Sequence, residues 1–571
     1  MRRLRNDNRL GMKDIKAIRN PTTLLWLLLG AWWILNVIQA GFTELANDEA
    51  YYFMFSGDLA WGYFDHPPMT ALLVRLGRFL GGELGVRFFF TLLQPVYLYL
   101  LWLIVRPKVV EARDVAFFAL IASAMPILQL YGFIAVPDGP LMLFTALLLW
   151  AYKRFTESDG WGWALLMGLS IAALAYSKYH GALVVLLLVL SNLSLLKKTK
   201  FYAACLLAAV LILPHLAWQY DHDWVSFRYH LSGRNRDFEF GFVTEYILNL
   251  FAIFNPLLFP VFLAAWWKTR SESPVLRALS AIAAGFILFF LASTLRGYVQ
   301  PQWEIPAAFG VIATLFLYAR NRPRLRRYVV RVGWITLALV ALVRIEMIFN
   351  PLGLKFEVFG NRASYGRIAE LAQGAPVIFD GQYTAAAKYS FYTGGEAYAQ
   401  PSIHYRTSQY ELRGDDDAMA GRRVLLQVWD DVPGRREEVL PNGLPFRWIV
   451  SDPFVPVRRI GVEYRGLPDE VRPGDTLRLA LTLRNPYPYE YRFDGDTTSV
   501  SIVWRNRNEP THSYVLPGVT GTLPAGGSME AKAVFVVPRL SQRTFEAGFT
   551  VANEPVSTWF NGPSKPVRVV K

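Results

Sequence analysis

Long hydrophobic runs recur through the first three-fifths of the chain, and residues 22–40, 88–105, 182–196 and 281–295 are free or nearly free of charge. Each approaches the roughly 20 residues needed to cross a ~30 Å hydrocarbon layer, and so many cannot all be buried helices of a water-soluble core. The pattern predicts about eleven membrane helices, near 22–40, 84–105, 114–132, 139–152, 161–176, 181–196, 201–217, 242–266, 277–295, 302–319 and 328–349. Two long loops interrupt it on one face. One covers 41–83, rich in aromatic and acidic residues, and the other covers 218–241.

Beyond about residue 350 the pattern changes. Segments 365–373 and 383–392 have a helical pattern, whereas 376–380 and 423–429 read as strands, so 351–450 is expected to be a small α/β domain. From 451 to 571 the period becomes two. Leu477, Leu479, Leu481 and Leu483 alternate with polar or small residues, as do Met529, Ala531, Ala533, Phe535 and Val537. Arg472-Pro473-Gly474-Asp475 and Pro524-Ala525-Gly526-Gly527 are turn signals between such runs, which suggests a β-sandwich of immunoglobulin-like type. The expected fold class is therefore an α-helical polytopic membrane domain, 1–350, followed by an α/β domain and a C-terminal β-sandwich.

Composition agrees with this division. Of 571 residues, 53% are hydrophobic and 18% charged, against about a quarter charged in a typical soluble domain. The net charge of +14 would fit nucleic acid if it formed one continuous face, but the basic residues lie in short clusters between hydrophobic runs. With a cytoplasmic N-terminus, Arg2, Arg3, Arg5, Arg9, Lys13, Lys16, Arg19, Arg106, Lys108, Arg113, Lys153, Arg154, Lys197, Lys198, Lys200, Lys268, Arg270, Arg277 and the 320–331 arginines fall inside. The outer loops hold Arg75, Arg78, Lys178, Arg228, Arg234, Arg236 and Arg296. That is roughly 24 against 7, the positive-inside signature, and it puts 350–571 outside the cytoplasm. The expectation is a multi-pass protein of the cell inner membrane with the lipid bilayer as a partner and no nucleic acid. The single cysteine, Cys205, allows no intrachain disulfide.

Ionisable groups at the outer ends of membrane helices carry the candidate chemistry, because a charge near hydrocarbon costs about 2.5–3.5 kcal/mol on insertion scales. Asp48-Glu49 follows the first run directly. Asp65-His66 lies in Trp61-Gly62-Tyr63-Phe64-Asp65-His66-Pro67-Pro68, where two prolines stiffen the turn. Asp138 stands in Val136-Pro137-Asp138-Gly139-Pro140, and Lys178 in Ser177-Lys178-Tyr179-His180. Each has an ordinary explanation when taken alone: a solvated acidic pair, a helix N-cap at Asp138, a snorkelling lysine at 178. Together on one face, carboxylates and cations look like an active site for an anionic lipid-linked substrate.

The Asp-Glu pair, the Phe-Asp-His-Pro-Pro stretch, the Asp of the second outer loop and the Ser-Lys motif resemble the polyprenyl-phosphate-sugar glycosyltransferases of the GT-C superfamily. The similarity is to bacterial dolichyl-phosphate-mannose–protein mannosyltransferase-like enzymes and to lipid A aminoarabinose transferases, over about residues 20–350. The resemblance implies Asp48 as catalytic carboxylate, with Glu49 and Asp138 as further catalytic candidates. It implies Lys178, with His66, Arg296 and Tyr51, at the donor phosphate. Asp65 takes the place of a family glutamate, and His230 that of a histidine beside it at a metal. A divalent ion on these two, with water or His66, is then one expectation, and a loop hydrogen bond from His230 is the other. Tyr51 and Trp303 depart from an arginine and a tyrosine of the aminoarabinose transferases. The implied reaction moves a monosaccharide from a polyprenyl-phosphate donor to a lipid, protein or polysaccharide acceptor on the extracytoplasmic face, with inversion. A membrane transporter and a non-catalytic anchor for sugar-binding domains are the alternatives. A transporter would want midplane charges and repeated halves, neither of which the sequence displays.

The exported region is less telling. Tyr389, Tyr392, Arg406 and Tyr410 suit either a carbohydrate-stacking surface or an ordinary aromatic core.

Overall fold

The computed structural model describes residues 20–231, 236–269, 273–403, 405–429, 431–506, 508–556 and 558–570. The basic residues at 2–19 and Arg234 and Arg270, used above for orientation, lie outside them. Contacts divide the chain into two compact units, Met1–Phe359 and Gly360–Lys571.

The first unit is helical. Its helices are α1 (Pro21–Phe42), α2 (Asn47–Phe55), α3 (Met69–Gly77), α4 (Gly82–Val105), α5 (Ala112–Ser123), α6 (Pro126–Leu130), α7 (Asp138–Ser158), α8 (Trp161–Ser177), α9 (Gly181–Ser191), α10 (Thr199–Asp221), α11 (Val225–Leu231), α12 (Phe240–Ile253), α13 (Phe259–Thr269), α14 (Pro274–Ser293), α15 (Ala307–Ala319) and α16 (Pro323–Phe349). Local sequence sets several of the starts. Asn20 Oδ1 accepts from the amides of Thr22 at 2.9 Å and Thr23 at 3.3 Å, with Pro21 in the first helical position, where a missing N–H costs nothing. Ser273 and Pro274 repeat the arrangement at α14. Helix α4 packs between α1 and α7, α8 joins α7 to α10, and α14 lies against α15. One apolar core runs through them, from Leu25 of α1 to Val332 of α16.

Among the described residues five helical stretches are long and apolar enough to cross a membrane: Pro21–Phe42, Gly82–Val105, Thr199–Asp221, Pro274–Arg296 and Pro323–Phe349. Trp161–Ser177, Gly181–Ser191, Phe240–Ile253 and Ala307–Ala319 are shorter and apolar. Two of the expected spans are broken. Residues 114–132 become α5 and α6, and 242–266 become α12 and α13. One break serves the other: Asn255, at φ 72° between α12 and α13, donates from Nδ2 to the carbonyl of Ala124 at 3.1 Å and to Thr336 Oγ1 at 2.7 Å. A backbone carbonyl released by a helix break in a dry interior needs such a partner. Large apolar side chains, among them Leu206, Leu213, Leu248, Trp267, Leu288, Trp334 and Leu342, are exposed on the outside of the bundle, as a lipid-facing surface requires.

The second unit opens with α17 (Asn361–Ala372) and a mixed sheet of order β2-β1-β3-β5-β4. Its strands are β1 (Val377–Asp380), β2 (Ala397–Gln400), β3 (Val424–Gln427), β4 (Arg436–Val439) and β5 (Pro445–Ser451), with α18 (Tyr383–Thr393) linking β1 to parallel β2. Tyr389 and Tyr410 are buried in its core, so an aromatic core accounts for both. Arg406 lies over the Tyr383 ring at 4.4 Å. The remainder is all-β. The strand Thr476–Arg484 pairs antiparallel with Ser528–Val536, setting Leu477 opposite Phe535 and Leu481 opposite Ala531, and Leu477, Leu479, Leu481 and Leu483 are all buried. Strands Thr498–Arg505 and Thr544–Asn553 form a second sheet. Trp504 stacks on Phe535 at 6.4 Å and Tyr464 meets Phe549 at 4.8 Å, so side chains of the two sheets interdigitate.

Candidate active site

The long loop after α1 is anchored by a buried ion pair. Glu49, in the first turn of α2, accepts from Arg87 of α4 at both carboxylate oxygens, at 2.7 and 2.5 Å. It also accepts the amides of Ala46 at 2.9 Å and Ala135 at 2.8 Å. Arg87 donates in addition to the carbonyls of Ala40, Thr43 and Glu44. Both side chains are 0% exposed. With both oxygens engaged in this way, the Glu49 carboxylate is committed to holding the loop. Its position next to Asp48 has a geometric consequence, since one residue of helix turns the side chain by about 100°. Glu49 points into the protein and Asp48 is exposed. Tyr51, two residues on, is 1% exposed and packs on Phe55 with ring centroids 4.5 Å apart. Its ring belongs to the aromatic core of the loop.

The second motif is an extended segment whose carbonyls are taken in alternation. His215 Nδ1 donates to the carbonyl of Trp61 at 2.7 Å, Ser226 Oγ to that of Tyr63 at 2.8 Å, and His230 Nε2 to that of Asp65 at 2.8 Å. Residues 61, 63 and 65 are thus held by one side of α10 and α11. With Nδ1 of His215 the donor, its Nε2 accepts from the Tyr179 hydroxyl at 3.3 Å, and Gln219 Nε2 donates to both Tyr179 at 3.1 Å and Ser226 at 2.7 Å. Gly62 is required by close approach: a Cβ there would lie 2.3 Å from Cε3 of Trp218. Burial pushes the Tyr63 phenol up to about 12, so it stays a hydrogen-bond donor to the loop carbonyls of Phe55 and Asp58. The outcome is a rigid turn carrying buried Asp65 and half-buried His66. The His66 ring lies 6.2 Å from that of His230 and 5.4 Å from that of Tyr52.

Asp138 and Lys178 meet. Lys178 Nζ donates to Asp138 Oδ1 at 2.7 Å, with both side chains under a tenth exposed. Asp138 opens α7 between Pro137 and Pro140. Lys178 follows α8 in extended backbone, so neither side chain is carried far from its helix end. The three residues from 178 to 180 reach three walls: Lys178 to α7, Tyr179 to α10, and His180 to the rings of Phe290 at 5.1 Å and Trp303 at 5.5 Å. Arg296 lies just past that wall. It is exposed, its carbonyl accepts from the Arg236 amide at 2.8 Å, and its guanidinium has no carboxylate partner among the described residues. The Ala135 amide that Glu49 accepts at 2.8 Å lies three residues before Asp138, so the Asp-Glu loop is tied to the segment that leads into α7.

Comparison with known proteins places relatives beside this chain. Residues 65–218 match the family described as dolichyl-phosphate-mannose-protein mannosyltransferase. The chain resembles the GT-C polyprenyl-phosphate-sugar glycosyltransferases. A lipid A galacturonosyltransferase, RgtD of Rhizobium johnstonii, is 24% identical over 322 residues, covering 53% of this chain and 67% of the relative. The crystal structure of ArnT from Cupriavidus metallidurans in the apo state superposes with a TM-score of 0.56 at 14% identity, covering 75% of this chain and 98% of ArnT. Its undecaprenyl-phosphate-bound form gives 0.55 over the same shares. The matched family segment contains Asp65, His66, Asp138 and Lys178, while Asp48 and Glu49 precede it.

Several residues of this site were not singled out in the sequence. Arg87 sits inside a run that reads as a membrane helix, and an arginine there demands a buried acid. His215, Gln219 and Ser226 fix the turn at 61–66 from more than 150 residues away and give no local signal. Arg344 donates to Asn36 Oδ1 at 2.8 Å and to Gln129 at 2.9 and 3.1 Å. The Phe133 ring lies 5.6 Å from the guanidinium of Arg344 and 5.6 Å from that of Arg87. As for a metal, Asp65 and His230 do come together, but His230 Nε2 is already a donor to the loop. Among the described residues no group of three His, Cys, Asp or Glu is placed to hold an ion.

Proposed function

We propose that this protein is an integral-membrane glycosyltransferase that moves a monosaccharide from a polyprenyl-phosphate donor to a lipid, protein or glycan acceptor outside the cytoplasm, inverting C1. The observation that carries this is the buried Asp138–Lys178 pair at the helix ends, with exposed Asp48 on the loop that Glu49 ties to the segment before α7. A lysine held at 2.7 Å by one carboxylate retains two ammonium protons for a donor phosphate, the kind of charge-assisted contact that fixes a leaving group. Polyprenyl phosphate departs already anionic, so no general acid is needed. One base, Asp48, takes the acceptor proton as the acceptor oxygen attacks C1 from the side opposite the phosphate. Lys178, with His66 or Arg296, neutralises the charge that develops on the phosphate oxygens. Glu49 is a positioning residue, locking α2 through Arg87 so that Asp48 faces out.

A divalent ion at Asp65 and His230 is a separate proposal, through which no step is routed. Metal analysis of purified protein and of His230→Ala tests it, and equal near-zero metal in both ends it. The transfer itself is tested by mass spectrometry of glycolipids, glycoproteins and polysaccharide from cells with and without the protein. A sugar lost from one acceptor class supports the proposal and names the acceptor. Unchanged glycans in every class contradict it.

A further inference from the structure

At the N-terminal end of α16, far along the helix from Arg344, a cleft of about 780 Å³ is lined by Arg113, Arg320, Arg326, Arg327, Arg331 and Val330. Two carboxylates answer these five cations. Asp114 pairs with Arg320 at 3.3 Å, and Glu111 with Arg113. Arg326 donates to the carbonyl of Arg113 at 3.3 Å and lies 5.3 Å from the Phe117 ring. Arg327 and Arg331 have no carboxylate partner among the described residues, so the cleft carries a positive surplus. The first turn of α16 adds amides without helical partners at the same end, and these favour an anion.

The surroundings choose between a free anion and an amphiphile. Arg327 and Arg331 are one turn apart on α16. Continuing at the same helical spacing, the stripe becomes Trp334, Ile335, Leu339 and Leu342, all large, apolar and exposed. Only 11% of the most apolar window of this helix is buried in the protein. A guanidinium cleft running directly into an exposed apolar stripe complements a molecule that is anionic at one end and hydrocarbon beyond it. Inorganic phosphate would use only half of this surface.

We infer that the cleft binds the phosphate headgroup of an anionic phospholipid whose acyl chains lie along α16. The inference needs α16 to lie in the bilayer but does not depend on sugar transfer. Full-length protein would be placed in phosphatidylcholine nanodiscs with and without phosphatidylglycerol. Retained phosphatidylglycerol would be measured by native mass spectrometry, and unfolding temperature in parallel. Arg327→Gln with Arg331→Gln should weaken phosphatidylglycerol retention by on the order of tenfold or more, while leaving the unfolding temperature in pure phosphatidylcholine unchanged. Arg324→Gln, equally basic and exposed on the same helix but outside the cleft, should leave retention close to that of the parent. Equal loss in the two variants would mean diffuse surface charge and overturn the site. Equal stabilisation by sodium phosphate in detergent would mean a free-anion site and overturn the lipid. Unchanged retention in the double variant would overturn both.

Discussion

Replacing Arg87 with Met keeps the length and apolar body of the side chain but removes its five hydrogen bonds, two to Glu49 and three to the carbonyls of residues 40, 43 and 44. Glu49 would keep the Ala46 and Ala135 amides, yet its charge would be stranded where both side chains are 0% exposed. Breaking one side of a buried pair costs about 3–5 kcal/mol. Arg87→Met should therefore lower unfolding stability in detergent by about that amount, measured by denaturation at fixed lipid content. The double variant Arg87→Met, Glu49→Leu should recover part of the loss, because no buried charge remains, although the three carbonyls stay unanswered. Since the same pair orients α2, folded Arg87→Met should also lose turnover at unchanged donor affinity. Parent-like stability of Arg87→Met, or a coupling energy below ~0.5 kcal/mol in the double-mutant cycle, would refute the reasoning.

Four further outcomes are expected. Lys178→Ala should weaken donor binding by about tenfold to a hundredfold, the worth of one charge-assisted hydrogen bond, while Asp138→Ala should destabilise the ligand-free protein and be partly rescued by polyprenyl phosphate, whose phosphate replaces the lost carboxylate; direct binding and unfolding assays check both, and no rescue would contradict the phosphate role. Gly62→Ala should cost about 1–3 kcal/mol through overpacking against Trp218, and a variant as stable as the parent would show that the 61–66 turn is not held as described. A reporter active only outside the cytoplasm should work when fused after Lys571, and an inactive reporter there with an active one at Lys198 would invert the orientation.

Much of this was legible along the chain, for physical reasons that differ by element. Leu477 to Leu483 alternate because one face of their strand is buried, and that pattern survives into the pairing with Ser528–Val536. Asp48, Asp65, Asp138 and Lys178 stood out along the chain because charge is rare among membrane helices. Their partnerships were not. Nothing local says that Lys178 meets Asp138 across 40 residues, or that Glu49 is consumed by Arg87 while Asp48 beside it is exposed. Hydropathy also misses breaks within apolar stretches: Pro126 and Asn255 interrupt runs that stay hydrophobic on both sides, and the hydrogen bond from Asn255 to Ala124 that makes this tolerable is a tertiary fact.

The central claim is that Asp48 removes the acceptor proton. Asp48→Asn keeps the size and hydrogen-bonding reach of the side chain and leaves the Glu49–Arg87 anchor and the Asp138–Lys178 pair intact. The decisive measurement is single-turnover sugar transfer by the folded Asp48→Asn variant, with donor-lipid binding recorded on the same preparation. Transfer should fall by about 10²–10⁴-fold while donor affinity stays that of the parent. Near-parent transfer with intact donor binding would show that Asp48 is not the base.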